Sequence, residues 1–182
     1  MSSSNTVLLQ VIVGILLPVG ALLSVVIWSL KNGIVPMPTT RVQRERMMQN
    51  LPEDPGEFLF DLGSGFGTLA IALARRYPKS VVVGVESSPV PFWISALLKM
   101  IFRLENLTLR REDIMNTSIV NASAVVVYLH RAGMPNLKTK LQNELKPGVW
   151  IVSNTFAFPD WEPEKVIVVG DINKTKIYVY RS

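Results

Sequence analysis

Cysteine is absent from the 182 residues, and histidine occurs once, at position 130. Without thiols there is no disulfide framework, no thiolate metal site and no thiol nucleophile. No nucleophile–base–acid triad can be assembled from the sequence, and no metal site is expected. Basic runs interleaved with aromatics are also missing, which argues against a nucleic-acid partner despite the net charge of +5. Internal repeats and low-complexity tracts are missing too. Charge itself is missing from Thr6 to Leu30, "TVLLQVIVGILLPVGALLSVVIWSL".

That charge-free run is long enough to matter. About 20 apolar residues at about 1.5 Å each cross a hydrocarbon core of about 30 Å. A cleaved signal peptide would need a basic start and a shorter apolar core, and "MSSSN" carries no basic side chain. A buried helix of a soluble fold would show a polar face, and only Gln10, Ser24 and Ser29 supply one. Residues 1–30 therefore read as a transmembrane anchor, with Pro18 tolerated inside it. Lys31, Arg41, Arg44 and Arg46 follow the run and no basic residue precedes it. This predicts a single-pass topology with the C-terminal portion in the cytoplasm, and attraction of the basic cluster to anionic lipid.

Residues 31–57 read as a connector. Prolines in "VPMP" favour an extended entry. Thr40 with Gln43 fits a capping box that opens a short helix, and Pro52 and Pro55 follow its end near Leu51. Residues 58–182 then alternate apolar runs with helical patterns. "FLFDL", "SVVVGVE", "NLTLRR", "SAVVVYL" and "VWIVSN" read as strands, separated by helices over 68–77, 92–102 and 134–145. Alternation of this kind implies parallel βαβ units with helices on both faces. "KVIVVGD" and "KIYVYRS" are close enough to pair as a hairpin, so one terminal strand should run antiparallel.

The loop after the first strand carries the chemistry. It sits where a parallel sheet places its ligand, between a strand end and a helix start. Dinucleotide loops read G-x-G-x-x-G. Here Gly63, Gly65 and Gly67 recur at every second position, the residue three beyond Gly65 is Thr68, and Asp61 precedes the first glycine by two. An anion there repels a pyrophosphate and suits a ligand bearing a cation. Glu86 ends the second strand, 19 residues after Gly67, and Asp113 follows the third.

This pattern resembles the first motif of class I S-adenosylmethionine (SAM) methyltransferases, D/E-x-G-x-G-x-G. The resemblance implies a Rossmann-like α/β sheet, mostly parallel, and SAM as cofactor. It implies that Asp61 holds the ammonium of the methionine moiety and that Gly63, Ser64, Gly65 and Gly67 pass close to the cofactor. It places Glu86 and Ser87 at the ribose, and Asp113 and Ile114 at the adenine. "VPMPTT", "DLGSGFGTLA", "VGVESSPVPFW", "NLTLRREDI", "LKPGVWIVSNTFAFPDWEP" and "IYVYRS" are similar to a family of small membrane-anchored bacterial methyltransferases. More remotely they resemble the lysine methyltransferases that act on the adenine nucleotide translocase and on the c-ring protein of mitochondrial ATP synthase. By that resemblance Pro36, Thr39 and Thr40 help cover SAM.

Methyl transfer from a sulfonium needs alignment and water exclusion more than it needs a base. Tyr128 ends the fourth strand and His130 follows it, at the edge where an acceptor approaches. Each is a candidate catalytic residue, with packing and a solvated loop as the plain alternatives. Asn154, Phe156, Phe158 and Trp161 lie in "NTFAFPDW" after strand five and are candidate substrate contacts, with partial core as the alternative. "VVYLHR" stands where nucleic-acid amino methylases carry an Asn/Asp-Pro-Pro-Tyr motif, which argues against that acceptor class. The expectation is a membrane-anchored SAM-dependent methyltransferase acting on a lysine of a protein at or near the bilayer. A lipid head group, a small molecule, or a non-catalytic SAM-binding scaffold are the alternatives.

Overall fold

The structure is a computed structural model that describes residues 3–16, 18–20, 23 and 39–182. The chain divides into two compact units, residues 1–37 and 38–182. In the first, α1 (Ser3–Val11) runs into a π-helical turn, Ile12–Leu16. The large apolar side chains described here, among them Val7, Leu9, Ile15 and Leu23, are exposed. Among the described residues no helix is long and apolar enough to cross a membrane. Of the span expected from Thr6 to Leu30, positions 17, 21–22 and 24–30 lie outside the described residues, as does Pro36.

The second unit is built on a seven-stranded sheet of order β3-β2-β1-β4-β5-β7-β6. The strands are β1 (Phe58–Leu62), β2 (Val81–Val85), β3 (Leu107–Arg110), β4 (Ala124–Val127), β5 (Trp150–Asn154), β6 (Lys165–Val168) and β7 (Lys176–Arg181). β1 to β5 are parallel, and β7 lies antiparallel between β5 and β6. The antiparallel strand is thus the last in sequence and next to last in space. The central strands are nearly continuous runs of Val, Leu and Ile because both sheet faces are covered.

One face is closed by α2 (Arg41–Gln49), α3 (Thr68–Arg76) and α4 (Pro89–Ile101). Met47, Leu69, Leu73 and Ala74 pack there against Leu59, Val82 and Val126. The other face is closed by α5 (Met134–Glu144), where Met134, Leu137 and Leu141 meet Phe60, Leu62, Val125 and Ile151. The alternation along β1 decides the site. Leu59 and Asp61 share a face, so Asp61 points to the side of α3 while Phe60 and Leu62 fill the other core.

The capping box at α2 is present in full. Thr40 Oγ1 accepts from Gln43 N at 3.3 Å, and Gln43 Oε1 accepts from Thr40 N at 3.1 Å. Gln43 does more than cap. Its Nε2 donates to Asp171 Oδ2 at 2.8 Å and Thr175 Oγ1 at 3.1 Å, and Asn154 Nδ2 donates to its Oε1 at 3.4 Å. One buried amide therefore ties the helix α2 to the end of β5 and to the β6–β7 turn.

Candidate active site

The carboxyl ends of β1, β2, β4 and β5 converge on one edge of the sheet. The loop leaving β1 turns through three glycines with positive φ, +81° at Gly63, +53° at Gly65 and +75° at Gly67. Side chains are disfavoured there on backbone grounds alone. Gly63 N and Ser64 N donate to Val85 O at 3.0 and 2.9 Å, which hooks the loop over the end of β2. A Cβ at Gly67 would lie 2.7 Å from Ser95 Cβ, so this glycine lets α3 and α4 approach. A Cβ at Gly65 would meet nothing within 4 Å. Its face is open, and a ligand can lie directly against the main chain.

Asp61 sits beneath this loop, 2% exposed. Its Oδ2 has no hydrogen-bond partner among the described residues. Burial pushes its carboxyl from 3.8 to about 7, the backbone N–H of Ala70 pulls it down, and the Glu86 charge pushes it up again. A buried acid with an unused oxygen is costly by itself and becomes favourable opposite a cation. Glu86 is already half committed. Its Oε2 accepts from Gly65 N at 2.9 Å and its Oε1 from Ser88 N at 2.6 Å. Each oxygen keeps a lone pair for a hydroxyl donor. Ser64, buried beside Gly84, also has an unpartnered hydroxyl among the described residues. Asp113 caps the 3₁₀ turn Ile114–Asn116 through Oδ1, which accepts from Met115 N at 2.8 Å, while its other oxygen makes no such bond among the described residues. Ile114 Cδ1 lies 3.8 Å from the Cβ position of Gly63, so it lines the same loop.

Across the edge, β4 ends at Val127, and Tyr128 and His130 lie beyond it. Tyr128 O lies 3.2 Å from the Cβ position of Gly63, which places this residue beside the glycine loop. His130 precedes the 3₁₀ turn Arg131–Gly133, and its Nδ1 is buried with no partner among the described residues. After β5 the chain reverses abruptly. Phe156 N donates to Asn154 O at 2.8 Å across Thr155, whose φ is +69°. That is a γ-turn in its strained, positive-φ form, on a β-branched residue. Ser153 Oγ donates to Phe156 O at 2.6 Å and braces it.

The aromatics that follow divide in two. Phe158 is 2% exposed and packs 5.1 Å from the Tyr180 ring and 5.4 Å from Trp161. Its N–H donates to Tyr180 Oη at 3.0 Å. The sequence suggests Phe158 as a substrate contact; the structure makes it a core side chain, because the loop folds back onto β7 and needs an apolar plug. Phe156 and Trp161 stay half-buried at the edge. Asn154 is fully buried and spends its side chain on Gln43. Thr39 is buried and Thr40 exposed at the start of α2. Two features that shape this edge escape a reading of the sequence, the long-range contacts of Gln43 and the turn at Thr155. Gln43 has partners more than a hundred positions away, and no local signal announces a γ-turn at Thr155.

The donor set fits SAM. The open main chain at Gly65 accepts a ligand at close range, and the unpartnered, buried Asp61 carboxyl calls for a cation. Free capacity on Glu86 and Asp113 suits hydroxyl and amino donors. The sequence agrees with known proteins at this point. The chain is 29% identical over 154 residues to a protein-lysine N-methyltransferase of Saccharolobus islandicus (strain REY15A), covering 80% of this chain and 91% of that one. It is 32% identical to the adenine nucleotide translocase lysine N-methyltransferase of Mus musculus, over 71% of this chain. It is 28% identical to the Xenopus laevis lysine N-methyltransferase named for the C component of ATP synthase, over 74% of this chain. The chain spans only 55% and 58% of the length of those two vertebrate proteins. Among solved structures, the RNA methyltransferase of Salinibacter ruber in complex with S-adenosyl-L-homocysteine superposes with a TM-score of 0.69 at 25% identity, over 80% of this chain and 93% of that one. Residues 61–165 match the sequence profile of the ANTKMT methyltransferase domain, so the chain belongs to that family and is a SAM-dependent methyltransferase.

Proposed function

We propose that the protein N-methylates a lysine side chain of a protein substrate at or beside a membrane. The observation that carries this reading is the kinship with proteins named as lysine N-methyltransferases, which extends over 71–80% of the chain. The open acceptor edge supports it. Among the described residues no inserted domain stands over β4 and β5, and a protein-borne lysine can reach the site from outside.

Bound SAM supplies an electrophilic methyl group on a sulfonium. Asp61, as carboxylate, holds the methionine ammonium, and Glu86 takes the ribose hydroxyls on the lone pairs left by Gly65 and Ser88. The free oxygen of Asp113 receives the adenine amino group, with Ile114 against the ring. Asn154, held by Gln43, fixes the end of β5, and the γ-turn at Thr155 presents Phe156 and Trp161 to the acceptor. With SAM bound, these residues would leave the acceptor amine in line with the methyl group, and alignment would supply most of the acceleration. His130, just beyond β4, is the candidate group to take the proton that the product amine releases.

The membrane part of the reading rests on the charge-free run from Thr6 to Leu30 and on the basic residues that follow it, which favour a cytoplasmic catalytic unit. Resistance of the full chain to alkaline carbonate extraction tests it; release into the supernatant contradicts it. The acceptor is tested by incubating the purified chain and tritiated SAM with membranes from a strain lacking the gene. A labelled polypeptide supports the reading. Label confined to the lipid extract, or to RNA, overturns it.

A further inference from the structure

The outer face of α4 is the least expected surface of the catalytic unit. Trp93, Leu97 and Met100 are 63%, 51% and 69% exposed, and Ile101 and Phe102 continue the strip. Their spacing of four, seven and eight places them on one side of the helix, opposite the buried Pro91 and Ser95. The neighbouring α3 shows the ordinary arrangement instead, turning Arg75 and Arg76 outward at its end. A contiguous strip of this size on a folded unit marks an interaction surface.

The rim of the strip is cationic. The Arg75 guanidinium lies 4.2 Å over the Phe102 ring. Lys99 and Arg103 line one groove with Met100, where Glu105 supplies the single acid of the lining. Arg103 is placed there at a cost. Arg103 N donates to Met100 O and Leu104 N to Lys99 O, both at 3.2 Å, which is a Schellman ending to α4. The position that this ending reserves for glycine is occupied by Arg103 with φ +51°. A guanidinium is thus held at the end of the apolar strip where backbone preference alone selects glycine.

We infer that this face docks on a bilayer of anionic lipids, with the apolar strip in the interface and Arg75, Lys99 and Arg103 on the head groups. An amphipathic helix with an interfacial Trp and a basic rim has this chemistry. A two-fold contact with a second copy would set the cationic rims against each other. Residues 1–37 contain no Asp or Glu. The docking goes beyond the N-terminal anchoring proposed above and stands without it. Its consequence is an orientation of the catalytic unit against the lipid surface.

The absence of cysteine makes the test direct. Leu97→Cys in the full chain is labelled with an environment-sensitive fluorophore and mixed with vesicles of phosphatidylglycerol or of phosphatidylcholine. On the anionic vesicles its emission shifts to the blue, and nitroxide-bearing lipids remove about half of it or more. A label at Gln142→Cys, on the exposed side of α5, stays water-like. Adding Trp93→Glu and Met100→Glu abolishes the quenching while SAM binding, measured by calorimetry, is retained. Three outcomes overturn the inference: a water-like label at position 97, a blue shift without quenching by lipid (the mark of a protein cover), or quenching that survives the double Glu variant.

Discussion

Replacing Asp61 by Asn is expected to make the protein more stable and less able to bind its cofactor, and the two effects have one cause. Burial raises the carboxyl from 3.8 to about 7. Between those values the folded chain holds a proton that the unfolded chain has released. Stability therefore falls as pH rises through this window, and the full penalty is present above about 7. Some three pKa units at about 1.36 kcal/mol each give about 4 kcal/mol. A neutral amide at this position has no charge to desolvate. At pH 8 Asp61→Asn therefore gains up to about 4 kcal/mol, a rise in Tm of about 8–16 °C for a chain of this size. At pH 4 the two proteins melt alike. The amide cannot neutralise an ammonium, and SAM affinity falls by about 10–100-fold, the weight of a charged hydrogen bond. In the wild type, binding weakens by up to about tenfold per pH unit below pH 7, because Asp61 must first give up its proton. Thermal melts at both pH values and calorimetric titration with SAM read all of this. A variant that is less stable at pH 8, or a stability difference independent of pH, refutes the assignment of strain to this carboxyl.

The glycines separate packing from binding. Gly67→Ala meets Ser95 and is expected to cost about 2–4 kcal/mol in urea denaturation. Gly65→Ala enters open space, costs only about 1 kcal/mol of backbone strain, and instead weakens SAM binding about tenfold or more. Tyr180→Phe strands the buried N–H of Phe158 and lowers stability by about 1–3 kcal/mol, with KM for the acceptor unchanged; a shift in KM without loss of stability would return Phe158 to the substrate edge. Gln43→Leu breaks the tie between α2, Asn154 and the β6–β7 turn, and is expected to cost about 2 kcal/mol and to lower kcat, as denaturation and initial-rate measurements would show.

What the sequence reveals follows the range of the interactions concerned. Asp61 and the glycines are legible because a strand, a turn and a helix start are consecutive, and the chemistry depends on spacing within seven positions. That one of the two terminal strands runs antiparallel is legible from the short link between them, though not that it is the last, β7. Its insertion between β5 and β6 is not, since that is a choice among sheet edges. Phe156, Phe158 and Trp161 look equivalent as text, and only the fold of the loop onto Tyr180 makes one of them core. Gln43 reads as a capping residue, while its contacts at Asn154, Asp171 and Thr175 depend on the closed domain. The apolar residues of α4 are legible as a helix, but their exposure depends on what packs against them. Arg103 in a left-handed conformation carries no sequence signal.

Transfer to lysine is tested most directly by amino-acid analysis of the labelled acceptor after reaction with tritiated SAM. The label is expected to elute as methylated lysine, and Asp61→Asn to lower it about 10–100-fold at sub-saturating SAM. Label recovered on any other residue, in a lipid head group or on a nucleotide contradicts it.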